Sequence, residues 1–170
     1  EQDRAVQFAG IRTDLDLNQI DEGCELFCRP PLERLPAPEA IAITKLDYLA
    51  LVKQSLCESE FCRSILNEFA RDKTCVSGFN NIRFDDEIIR RLFYRNLRDP
   101  YAREWQGGNS RWDLLDPMRA AYALRPDGIE WPKKKDGSIS FRLEDLARAN
   151  DVPHESAHDA LSDVKATIGV

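Results

Sequence analysis

The chain has 170 residues, 42% of them hydrophobic and 32% charged, with a formal net charge of -6 and an isoelectric point near 5.0. That is the size and balance of one globular domain rather than of a disordered segment, and no apolar run approaches the roughly 18–20 residues of a membrane span. The acidic balance argues against a general nucleic-acid coating protein, but not against an enzyme that sets metal ions between its carboxylates and a phosphate.

No initiator Met and no charged-then-apolar leader opens the chain, so a cytoplasmic protein is expected, and one that begins inside a longer parent. Two strand-like runs, 6–13 and 24–29, flank a polar turn-rich stretch and read as an antiparallel hairpin. Pro30, Pro31, Pro36 and Pro38 then predict an extended connector without helix. Apolar residues at helical spacing over 46–69 predict one or two helices. A short strand over 74–78 ends in a Gly-Phe-Asn-Asn loop, and Asp85 is placed to cap a helix running to about Asn96, with Ile88, Ile89, Leu92 and Phe93 as its buried stripe.

Further along, 112–115 reads as a strand leading into a helix over 118–124, with Asp116 as its cap. Residues 131–138 read as an exposed loop carrying Lys133, Lys134 and Lys135, and 141–149 and 158–168 as two closing helices. Strands and helices alternating after a hairpin predict an α/β domain around a mixed sheet, with no internal boundary. The five cysteines, Cys24, Cys28, Cys57, Cys62 and Cys75, contain no CxxC pair and read as small buried hydrophobes rather than a zinc site.

Three features carry chemistry. In Gly78-Phe79-Asn80-Asn81-Ile82-Arg83-Phe84-Asp85-Asp86-Glu87 a carboxylate stands between a strand-end loop and a helix start, where ligands collect in α/β sheets. By itself Asp85 reads rather as a simple cap, with Asp86 and Glu87 complementing the helix dipole. His158 and Asp163 are five residues apart, about 140° around a helix, so they converge only with His158 at the loop or first turn. Asp113 and Asp116 can be read as ligands, or as structural groups.

Taken together, an N-x-x-x-D loop followed about 70 residues later by H-x4-D resembles the second and third motifs of the DEDDh 3′→5′ exonuclease family. The longer wording resembles the bacterial exodeoxyribonucleases within it: Phe93-Tyr94-Arg95-Asn96, Asp99-Pro100-Tyr101, the run from Asn109 through Trp112-Asp113 to Asp116, Tyr122-Ala123-Leu124-Arg125-Pro126 and Phe141-Arg142-Leu143-Glu144. The resemblance covers nearly the whole chain and weakens over 45–69. It implies a ribonuclease-H-like mixed sheet and release of mononucleotides from single-stranded DNA with two Mg²⁺ or Mn²⁺ ions. Asp85 and Asp163 are the implied metal ligands and His158 the implied general base, its ordinary pKa near 6.5 suiting a proton acceptor at neutral pH. Asn80, Asn81, Phe84 and Arg125 are candidate nucleic-acid contacts, with Phe79, Tyr94, Tyr101, Trp105 and Trp112 as further aromatics able to stack on bases.

The departure lies at the start. The family's first motif, Asp-x-Glu on the central first strand, does not occur in Glu1-Gln2-Asp3, so the 170 residues are expected to be one exonuclease domain truncated at both ends and inactive alone. Lys133 to Lys135 and Arg125 suggest a rim for the DNA strand or for the acidic tail of a single-stranded-DNA-binding protein. A monomer is expected. An exoribonuclease trimming RNA ends, or a non-catalytic module keeping the fold as an interaction surface, are the competing readings.

Overall fold

The computed structural model describes residues 4–33, 37–154 and 159–170. The expected hairpin is present: β1 (Gln7–Gly10) pairs antiparallel with β2 (Cys24–Phe27), Gln7 opposite Phe27 and Gly10 opposite Cys24. Its connection is set by Asp14, whose carboxylate accepts the backbone N–H groups of Asp16 and Asn18, both at 2.9 Å. Phe8 and Leu26 turn inward, and Phe8 meets Phe69 edge-on at 5.5 Å between ring centroids.

The connector departs from expectation. Helix α1 (Pro38–Thr44) begins at Pro38, which occupies a first-turn position where its fixed φ suits a helix and its missing N–H has no partner to lose. The next stretch forms two helices, α2 (Tyr48–Gln54) and α3 (Glu58–Phe69). Asp47 caps the first through the amides of Leu49 and Ala50. The break between them is enforced by the hairpin, because Leu56 donates its amide to Phe27 and accepts that of Arg29.

Strands β3 (Cys75–Gly78) and β4 (Ser110–Asp113) pair in parallel, Gly78 opposite Asp113. β4 and the following α5 (Leu115–Leu124) both begin two to three residues before the expected positions. Pro117 is tolerated inside α5 because it falls in the first turn. Between the parallel strands lies α4 (Asp85–Arg95), whose buried face carries Ile89, Leu92 and Phe93 as expected. These pack with Cys28, Phe61, Cys62 and Ile65 of β2's end and α3 into the main core. All five cysteines are free thiols, and burial pushes the Cys28 thiol up to about 11, an inert small hydrophobe.

The mixed α/β architecture holds, but among the described residues the sheet is two separate two-stranded ladders, one antiparallel and one parallel. Helices α6 (Leu143–Ala149) and α7 (Ala160–Gly169) close the chain, and α7 packs on β1. Gln7 fixes that contact by donating to the Asp159 carboxylate at 3.0 Å, while Asp159 caps α7 through the amide of Ser162. No helix among the described residues is long and apolar enough to cross a membrane.

Candidate active site

Asp85 is the first residue of α4 rather than its cap; that place belongs to Phe84, which makes no side-chain cap. What holds the approach to Asp85 is the loop 79–84, and what holds the loop is Asp113. One oxygen of its carboxylate accepts the amides of Asn80 at 2.8 Å and Leu115 at 3.0 Å, and the other accepts that of Ile82 at 3.1 Å. Asn80 adopts a left-handed φ of 63°, a conformation asparagine tolerates, so that its amide turns toward this acceptor. Asp113 therefore binds backbone, and Asp116, expected as a helix cap, lies exposed inside α5's first turn and pairs with Arg83 and Arg119.

Asp86 is not a solvated complement to the helix dipole. It is 2% exposed and receives Arg103 at 2.6 Å on one oxygen and Arg111 at 2.9 Å on the other. The pairing ties the first turn of α4 to a 3-10 turn at 102–104 and to β4. Turning Asp86 inward leaves its neighbour Asp85 on the outer side.

Asp85 has part of its surface open to solvent, yet its pKa is pushed up from 3.8 to about 6. Lost hydration is the main cause; its own amide works against the rise, and the charges of Asp86, Asp113 and Asp163 add to it. Asp163, in the first turn of α7, is thus within electrostatic reach of Asp85 although 78 positions separate them. His154 stands 2.7 Å from Asp163, ring Nε2 to Oδ1. A carboxylate only accepts, so the proton sits on Nε2. The residue singled out as general base, His158, lies outside the described residues.

The other nominated residues separate. Phe84 is 61% exposed and directly precedes Asp85. Asn81 is 5% exposed, and neither end of its side-chain amide has a hydrogen-bond partner among the described residues. Arg125 is exposed at the far end of α5, about 15 Å of helix from Asp113. Lys133 to Lys135 occupy an exposed turn closed by Lys134 and Ser138. Of the other aromatics, Trp112, Trp105, Tyr94 and Tyr101 are exposed, Tyr101 beneath the Arg90 guanidinium, and Phe79 is half-buried.

Two carboxylates from separate helices, each open to solvent and one destabilised mainly by lost hydration, are the donor set a hard divalent cation relieves. Among the described residues no group of three or more potential ligands assembles. Of the two readings open for Asp113, ligand or structural group, its hydrogen bonds match the structural one, whereas His154 was not singled out as a supporting group. A histidine four residues before the H-x4-D motif was the only signal for one, and an aspartate ending a strand beside the Asn-Asn loop for the other.

A family model described as exonuclease matches residues 1–170. The exodeoxyribonuclease I of Haemophilus influenzae is 53% identical over 168 residues, which is 99% of this chain and 36% of that protein. Escherichia coli exonuclease I in complex with a dA16 oligonucleotide superposes with a TM-score of 0.94 at 51% identity, over 96% of this chain and 35% of the other. The zinc-ion-bound form of the E. coli enzyme with single-stranded DNA gives 0.93 at 50% identity, over 98% and 35%. The fold is accordingly the ribonuclease-H-like exonuclease fold, and the chain spans about a third of the length of the relatives it matches.

Proposed function

We propose that this chain, which belongs to the exonuclease family along its whole length, is the nuclease part of an enzyme that releases mononucleotides from the 3′ ends of single-stranded DNA. The observation that carries the proposal is the fold shared with DNA-bound relatives at about 50% identity, on which Asp163 of α7 lies within electrostatic reach of Asp85 of α4. Asp85 and Asp163 are assigned as metal ligands, and His158 as the base that takes the proton of the attacking water. Bound divalent metal supplies charge neutralisation for the scissile phosphate and lowers the barrier to water attack. The rest falls to this chain: Asp113 and the Asp86 ion pairs hold the loop and helix that present Asp85, and Gln7 with Asp159 sets the start of the helix that presents Asp163.

Mg²⁺ or Mn²⁺, two per site, fits oxygen donors best; zinc, present in one relative, also accepts carboxylate oxygen. The strand end is expected to pass over Phe84 and the Asn80–Asn81 loop, with Phe84 stacking on a base. Arg125 and Lys133 to Lys135 are assigned to the outer path of the strand or to an acidic protein tail, and the enzyme to a cytoplasmic monomer. The 170 residues with only two of four carboxylates are expected to hold metal weakly and to leave DNA uncut.

Incubating the full-length protein and Mg²⁺ with matched single-stranded DNA and RNA oligomers tests the substrate. Faster loss of DNA supports the proposal, and preferential loss of RNA replaces it with an exoribonuclease.

A further inference from the structure

We infer that His154 is a positioning residue for Asp163, a role that rests on the assignment of Asp163 as a metal ligand. The inference comes from a strap, 151–154, that runs back along α7. After α6 the chain reverses at Asp151, which takes a left-handed φ of 55°, and Val152 returns its amide to Ala147 at 2.9 Å. From there two contacts pin the strap to α7. Val152 lies against Gly169 so closely that a Cβ on the glycine would sit 2.5 Å from Val152 Cγ1. His154 reaches Asp163 at 2.7 Å. Gly169 and Asp163 are six residues apart, about 9 Å along a helix, and residues 152 to 154 span about 7 Å when extended, so one short strap reaches both points.

The burial is asymmetric. The His154 side chain is 7% exposed and that of Asp163 is 40% exposed. A locked imidazole thus grips Oδ1 of a carboxylate that remains partly open to solvent, leaving Oδ2 available to a cation. A charge-assisted bond of this kind removes rotamer freedom from the ligand before metal arrives and fixes which oxygen is presented. His154 is not itself free to ligate through Nε2, which is engaged with Asp163.

The test uses the full-length protein with His154→Ala and His154→Gln, the glutamine amide reaching about as far as Nε2. Direct Mn²⁺ binding by titration calorimetry is measured beside the Mg²⁺ concentration giving half-maximal degradation of single-stranded DNA. His154→Ala is expected to weaken Mn²⁺ binding about tenfold and to raise the half-activating Mg²⁺ similarly, with kcat at saturating metal within about twofold of wild type. His154→Gln is expected to recover most of the affinity. Wild-type Mn²⁺ affinity in His154→Ala overturns the inference, as does a loss of kcat at saturating metal with unchanged affinity, which makes His154 a catalytic group. Should the alanine variant fail to fold, the glutamine variant decides: near-wild-type affinity is expected, and a tenfold loss contradicts. If wild-type protein leaves DNA intact while the affinities shift as stated, the exonuclease assignment fails and the positioning role stands.

Discussion

Asp85 is held where its charge is unwelcome. With a pKa near 6 against an ordinary 3.8, it prefers its proton in the folded state. The metal-free protein therefore carries no penalty from this group below pH ~4, loses stability as the pH rises through about 6, and bears the full penalty above. Asp85→Asn, which cannot ionise, should melt at a higher temperature than wild type in EDTA at pH 7.5 and equally at pH 4; equal melting at both would show that no strain is stored there. Asp113 does the opposite work, satisfying three amides at once. Asp113→Ala should cost about 2–4 kcal/mol in urea unfolding and depress DNA turnover by releasing the loop before Asp85, whereas Asp113→Asn, which keeps the oxygen facing Asn80 and Leu115, should cost less. Unchanged unfolding in Asp113→Ala would remove the clamp from the account. Asp85 and Asp163 stood out because the residue types and spacing of their motifs are visible along the chain. The partners of Asp113 and the role of His154 were not legible, because backbone amides and a carboxylate nine residues away are chosen by tertiary register.

At the scale of elements, α4 is held twice. Its apolar stripe packs into the core, and its first turn is locked by Asp86 between Arg103 and Arg111. Arg103 is the fully buried one of the two partners of Asp86, so Arg103→Ala, which leaves that carboxylate only the part-exposed Arg111, should destabilise by about 2–4 kcal/mol. Arg119→Ala, breaking the exposed pair with Asp116, should cost under about 1 kcal/mol. Denaturant midpoints of the two variants measure the contrast, and similar values would mean that the buried pair does not lock α4. The stripe of α4 was readable from periodicity. The buried ion pairs were not, since an Asp in the first turn of a helix looks the same in sequence whether it faces water or two arginines. Helix α1 was hidden by prolines that forbid a helix interior yet favour its first turn, and β4 by an apolar Leu114-Leu115 pair that belongs to the start of α5.

For the whole molecule, one antiparallel and one parallel ladder, with α7 packed against β1, set Asp163 within electrostatic reach of Asp85. The α/β class and family were legible from motif wording along the chain. The division of the sheet into two ladders was not, because it concerns hydrogen bonds between distant segments. The central claim is metal-dependent digestion of single-stranded DNA from its 3′ end through Asp85 and Asp163. It is tested most directly by following a 5′-labelled single-stranded oligonucleotide with the full-length protein, with Asp163→Asn, and with Asp85→Asn, each at saturating Mg²⁺. The account predicts a label that shortens stepwise with wild type and slows at least 100-fold in both variants. Release of the labelled 5′ nucleotide at once, or either variant retaining the wild-type rate, would contradict it.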